Sequence, residues 1–245
     1  MIAIIGSNHD DILYFESVVA NKHSETILKR YQVTTGTIFN QEVLLVYGIN
    51  TSILSGAIVS YIVNKYYLDL MIVFGRCLSL NKKLPVGEIV VSENVINIDV
   101  NQVHDNDVVI GQIPSLPQIF KVQKDVISYI EEGLTKHSFK YARKATFLSS
   151  NDISNFALEK IKDNETIYKA DSSVVDSTSG GVAVNSELYG VPFVSVKVVE
   201  RVIGEDWDVE HYLTVLDRYI DMDKAIVSAI GDIGRNDVLF MGGSR

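Results

Sequence analysis

Cysteine, proline and tryptophan are scarce in this chain of 245 residues, which has one cysteine, four prolines and one tryptophan. A single cysteine, Cys77, excludes an internal disulfide and suits a reducing compartment. Few prolines beside 47% hydrophobic residues exclude a disordered or low-complexity chain and imply a packed core. No apolar run approaches the ~20 residues that span a bilayer, so no membrane segment is expected. Positive charge is in deficit too. A formal net charge of -9 disfavours a nucleic-acid groove or an anionic membrane surface. His9, His104, His211 and Cys77 have no metal-ligand spacing, so neither a metal nor a cofactor is expected. The first residues, MIAIIGSNHDD, lack a basic region and a small-residue cleavage site. They read as a buried strand rather than a signal peptide, and the expected location is the cytoplasm.

What is present is alternation of strand and helix. Met1 to Ile5 is an apolar run ended by Gly6, and Asp10 to Ala20 has helical spacing. Tyr31–Ile38 and Glu42–Tyr47 read as a hairpin, Ser52–Asn64 as a helix, and Leu68–Phe74 and Val86–Val95 as strands. The stretch Asp99 to Lys121 is irregular, and a loop of that length is usually functional or interfacial. Lys124–His137 reads as a helix, Lys144–Leu148 as a strand, Ile153–Lys162 as a helix, and Thr166–Lys169 and Ser173–Val175 as short extended pieces. Gly180–Leu188 is a helix closed by Gly190, Pro192–Val199 a strand, and Val209–Ile230 a long closing helix. With no repeat or linker, residues 1–245 read as one α/β domain, a three-layer α/β/α sandwich around a central mixed sheet.

Four segments agree, in order and spacing, with a known family. MIAIIGSNHDDI resembles MKIGIIGAMEEEV, and Tyr47-Gly48-Ile49-Asn50 resembles SGIGK. FGRCLSLNKKLPVGEIVV, residues 74–91, aligns without a gap to TGSAGGLAPTLKVGDIVV. Val174 to Glu205 is similar to VEMEATA followed by a helix and VPFVVVRAISD. The chain thus resembles the 5'-methylthioadenosine/S-adenosylhomocysteine nucleosidases, within the purine and uridine phosphorylase superfamily. The resemblance implies a nucleoside phosphorylase-like fold. It also implies a homodimer, because Asp99-Val100 and Gly111 to Pro114 match a family segment at the dimer interface.

Breaking an N-ribosidic bond puts positive charge on the sugar and negative charge on the departing base. It calls for an acid at the base, a base for water, and acceptors for the ribose hydroxyls. The resemblance puts Asp11 at the water-activating glutamate, one methylene shorter; alternatively, Asp10 and Asp11 only favour a helix dipole. Thr178 falls on the ribose-binding glutamate, with Asp176 and Ser177 beside it. Arg201 falls on the purine-protonating aspartate. Guanidinium cannot be a general acid, although it can donate to a base carbonyl or an anion. Glu200 takes the acid role only if the local backbone is reset, and an ion pair of Arg201 with Asp176 or Glu205 is the structural alternative. Gly75 and Arg76 lie in the former glycine turn, where larger side chains narrow the sugar subsite. Arg76 matches a phosphate-binding position, so two arginines suit phosphate or a nucleotide. Ile153 falls at the base-stacking position.

Two classes of function remain open on these residues. One is an N-ribosyl hydrolase or phosphorylase acting on a purine nucleoside or nucleotide, with methylthioadenosine and adenosylhomocysteine hydrolysis impaired. The other is a catalytically inactive module that binds such a ligand or a partner protein.

Overall fold

The computed structural model describes residues 1–104, 107–136, 142–153, 172–206 and 208–233. Strand β1 (Ile2–Gly6) is the apolar run of the sequence, and all five residues are buried. It lies parallel between β4 (Gln41–Val46) and β5 (Leu70–Ser79). Burial on both faces explains why it reads as continuous rather than alternating hydrophobicity. Beyond β4 the sheet continues antiparallel through β3 (Tyr31–Ile38) to β2 (Ala20–Ile27). The sequence gives no hint of β2, whose residues 20 to 24 are all exposed, because an edge strand open to water has no apolar face to pattern.

On its other side β5 pairs with β12 (Phe193–Val202), parallel, and β12 pairs antiparallel with β6 (Ile89–Asn97). Next come β10 (Arg143–Ser149), parallel to β6, and β11 (Ser173–Asp176), parallel to β10. The far end of β5 then meets β11 in antiparallel register, Leu78 with Val175 and Ser79 with Val174. Strands β5, β12, β6, β10 and β11 therefore close a circuit. Leu78, Ile96, Leu148 and Val175, from four of those strands, form a second core distinct from the main one. The irregular stretch 99–121 holds a small hairpin of β7 (Asn101–His104) and β8 (Asp107–Ile110), and β9 (Phe120–Lys121) pairs with β6.

Helices α1 (Leu13–Val18), α3 (Lys124–Lys136) and α5 (Val209–Ile233) pack together on one side, and α2 (Ser52–Lys65) packs on α4 (Ser179–Tyr189) on the other. The result is the three-layer α/β arrangement with a mixed central sheet expected from the sequence. The helix expected over 153–162, the extended piece 166–169 and the C-terminal tail fall outside the described residues, apart from Ile153 itself. Phe74 on β5 meets Phe15 and Tyr219 edge-on at centroid distances of 5.1 and 5.3 Å, tying α1 and α5 to the sheet. Helix α4 ends where Gly190 takes φ 71°, a left-handed cap that favours glycine.

The α2–α4 contact depends on a missing side chain. A Cβ at Gly181 would lie 2.2 Å from both the Ser52 carbonyl oxygen and Ser55 Oγ. Gly181→Ala is therefore expected to force the helices apart and lower stability by about 1–3 kcal/mol, read as a lower midpoint in urea unfolding.

Candidate functional site

A buried ion pair stands at the centre of the site. Lys197 Nζ lies 2.6 Å from Asp176 Oδ2, with side-chain exposures of 1% and 0%. The same carboxylate oxygen accepts from Ser179 Oγ at 2.6 Å, from Ser179 N at 3.0 Å and from Thr178 N at 3.3 Å. Asp176 thus ends β11, joins it to β12, and caps the first turn of α4, where a negative charge opposes unsatisfied N–H groups. Its Oδ2 is committed to this network while its Oδ1 is buried without a hydrogen-bond partner, so Asp176 is held to Lys197 rather than standing beside Thr178 as a free replacement carboxylate. On β11 it turns inward toward β12.

Thr178 is fully buried, and its hydroxyl lies 2.9 Å from Ser7 Oγ while donating to the Ile49 carbonyl oxygen at 3.2 Å. Ser7 Oγ also borders Gly75, where an added Cβ would stand 3.3 Å from Ser7 Oγ and 3.3 Å from Asp11 Oδ2. Gly75 has φ 152° and lets β5 run close against the Asp11 carboxylate. Asp11 is 1% exposed and closes a 3-10 turn (His9–Asp11) after β1. Its Oδ2 accepts from the Asn8 backbone N–H at 2.8 Å, whereas Oδ1 is buried with no hydrogen-bond partner. The structure thus gathers Asp11, Gly75 and Thr178 around Ser7, a residue the sequence reading did not single out. Ser177 is half-buried next to them, and its carbonyl accepts from Ser52 Oγ at 3.4 Å.

Among the described residues, Leu78, Ile153, Glu200 and Arg201 line a cleft of ≈ 330 Å³. Consecutive residues of a regular strand face opposite sides of a sheet, which would separate Glu200 from Arg201. Here the register between β12 and β5 shifts between Val199 and Arg201, so both reach the cleft. The expected partners of Arg201 are engaged elsewhere, Asp176 with Lys197 and Glu205 with Lys82. Arg76 reaches the cleft wall through Glu200, its Nη1 3.9 Å from Glu200 Oε1, and its guanidinium carbon lies 5.5 Å from the Tyr219 ring centroid. The residues of the expected glycine turn are extended as part of β5, and Leu78 supplies bulk at the cleft. Burial raises the Cys77 thiol well above its ordinary range, which leaves it inert at neutral pH.

Two further groups were not foreseen. Tyr219 and Asp223, one turn apart on α5, are each 5% exposed. Burial, then the Asp11 charge, raises the Asp223 carboxyl to about 8 and also raises the Tyr219 hydroxyl. A signal was there: Val215, Tyr219, Met222 and Ile226 are buried along one side of the closing helix, and Asp223 is an acid within that apolar stripe. Lys197 gave an equally plain sign, a lone lysine inside the apolar strand VPFVSVKVV.

The chain belongs to the phosphorylase superfamily, whose profile matches residues 2–230. Within it, the resemblance to 5'-methylthioadenosine/S-adenosylhomocysteine nucleosidases holds. One such nucleosidase, from Bacillus velezensis, is 24% identical over 208 residues, covering 85% of this chain and 88% of its own. The crystal structure of another, from Colwellia psychrerythraea 34H in complex with adenine, matches with a TM-score of 0.80 at 16% identity over 94% of each chain. The futalosine hydrolase of Helicobacter pylori matches with a TM-score of 0.75 at 15% identity over 97% of each chain.

Removing one member of the buried pair strands the other. Lys197→Met is expected to cost about 3–5 kcal/mol of stability in urea unfolding, whereas the joint replacement Lys197→Met with Asp176→Leu costs much less.

Proposed function

We propose that the protein binds a purine nucleoside or nucleotide in the cleft and cleaves its N-ribosidic bond, as a divergent member of the superfamily in which methylthioadenosine and adenosylhomocysteine hydrolysis is impaired. The observation that carries this reading is the register shift in β12, which sets a carboxyl, Glu200, beside a guanidinium, Arg201, on the wall that also holds Ile153. Glu200 then donates a proton to the departing base. Arg201 donates hydrogen bonds to a base carbonyl or to the charge that develops as the bond breaks. Ile153 covers the base without aromatic stacking. Asp11, with one carboxylate oxygen unpartnered, takes the proton of the attacking water. Thr178 and Ser177 offer hydroxyls to the ribose, and neither supplies the charge that favours an oxocarbenium-like sugar. That lack is the main reason for the impaired rate.

Arg76 with Arg201 favours an anionic ligand group, so phosphate or a nucleotide phosphate is read as a partner of the site. The chain is further read as one cytoplasmic unit that forms a homodimer through residues 99–121 and works without metal or cofactor.

A second reading is a binding module that no longer turns over. It is favoured by the Thr178 hydroxyl, which is occupied by Ser7 and the Ile49 carbonyl, and by the commitment of Asp176 to Lys197.

Base release, followed by chromatography over nucleosides and nucleotides with and without phosphate, separates the two. Cleavage that Asp11→Asn lowers by about 100-fold or more supports the hydrolase. Glu200→Gln is expected to affect substrates with poorer leaving groups most. Ligand-induced thermal stabilisation with no base release supports the binding module, and neither signal overturns both.

A further inference from the structure

The two hydroxyls gathered with Asp11 have their hydrogens spent inward. Thr178 Oγ1 donates its one hydrogen to the Ile49 carbonyl oxygen at 3.2 Å, and a carbonyl has none to return. Toward Ser7 Oγ, 2.9 Å away, Thr178 can then only accept, so Ser7 is the donor. Ser7 has no other hydrogen-bond partner among the described residues, which leaves its lone pairs free. Thr178 is fully buried, whereas Ser7 is half-buried and is the member of the pair that a ligand can reach. A hydroxyl held in this way accepts a hydrogen bond from a ligand and cannot give one.

Its place in the fold suits a ligand. Ser7 follows the last residue of β1, and Ile49 stands just beyond β4, which runs parallel to β1. Ligands of parallel sheets settle outside the carboxyl ends of the strands. Ser7 Oγ and Asp11 Oδ2 each lie 3.3 Å from the point that a Cβ at Gly75 would occupy, so hydroxyl and carboxylate border the same spot on β5. A water activated by Asp11 attacks the anomeric carbon of a nucleoside, and the 2'-hydroxyl is carried by the next carbon. Hydrogen bonds to that hydroxyl strengthen as positive charge grows on the sugar.

We propose that Ser7 accepts the 2'-hydroxyl of the nucleoside, and that Thr178 is the positioning residue that turns the Ser7 hydrogen away from the sugar. The assignment deepens the proposed cleavage and rests on the reading of Asp11 as the base of a nucleoside site. It names the sugar class, a ribonucleoside rather than a 2'-deoxynucleoside. It also gives the Thr178 hydroxyl a part in sugar recognition although the side chain is sealed from solvent, because Thr178 acts through Ser7.

The test compares inosine and adenosine with their 2'-deoxy and 3'-deoxy forms on the whole protein, as wild type, Ser7→Ala, Thr178→Val and Thr178→Ser. Ser7→Ala is expected to lower kcat/KM for the ribonucleosides by about 3- to 10-fold, the worth of one neutral hydrogen bond, and to leave the 2'-deoxy substrates unchanged. The loss falls on kcat more than on KM, because the bond is strongest in the transition state. The 3'-deoxy substrates keep the 2'-hydroxyl and lose as much as their parents. Thr178→Val narrows the difference between ribo and 2'-deoxy substrates in the same way, and Thr178→Ser restores it. Equal losses on ribo and 2'-deoxy substrates, as a merely structural role would give, overturn the proposal. So does escape of the 3'-deoxy substrates in place of the 2'-deoxy ones. If Thr178→Val does not fold, Ser7→Ala and Thr178→Ser decide alone. Base release whose preference for ribose survives Ser7→Ala sinks the role of Ser7 and leaves the hydrolase standing. Thermal stabilisation by the same nucleosides covers a protein that does not turn over. A preference for ribonucleosides that Ser7→Ala abolishes, with no base release, keeps Ser7 and sinks the cleavage. Neither release nor stabilisation overturns both.

Discussion

The Lys197–Asp176 pair is the interaction on which the site's geometry depends. It fastens the end of β11 to the middle of β12 and fixes the first turn of α4 through Ser179. Ser179 Oγ continues the chain to Ser195 Oγ at 2.7 Å, and Ser195 N donates to Ser92 Oγ at 2.8 Å, so β12 is tied to β6 by side chains as well as by its ladder. Sealing two charges from water costs several kcal/mol each, and hydrophobic residues of like size would often be as stable. What the ion pair adds is direction. A lysine in an apolar strand can sit only where its one carboxylate is, and this sets where Thr178 and the α4 N-terminus stand relative to β12.

Much of the fold was legible because parallel, doubly covered strands write themselves as apolar runs. Ile2–Gly6 and Leu70–Phe74 are such strands, and Gly190 marks a helix end by its left-handed backbone. Strand β2 was not legible, since neither of its faces is hidden well enough to demand alternation. The hairpin within 99–121 escaped for a similar reason. Short strands paired only with each other impose little pattern on sequence.

The site was legible by position more than by role. Family spacing located Ile153, Glu200 and Arg201, and the structure puts them on one cleft. It could not say that Glu200 and Arg201 share a wall, because that follows from a register shift and not from residue type. Nor could it separate Asp176 from Asp11. Both are buried carboxylates with one unpartnered oxygen, and only three-dimensional pairing gives Asp176 a lysine and leaves Asp11 with a backbone N–H. Tyr219 and Asp223 come from a helix more than 200 residues away from Asp11 in sequence, beyond the reach of any local motif.

The closed circuit of β5, β12, β6, β10 and β11 has a bearing on how such a site changes over evolution. In an open sheet an extra residue can be absorbed by sliding the outer strand along its neighbour until the ladder is regular again. A ring of strands has no outer strand on which to slide, since every displacement must be returned when the circuit closes. The irregularity at Glu200 is therefore held where it is, set by the backbone circuit rather than by the side chains at residues 200 and 201. Such a frame keeps the shape of a pocket independent of the side chains that line it.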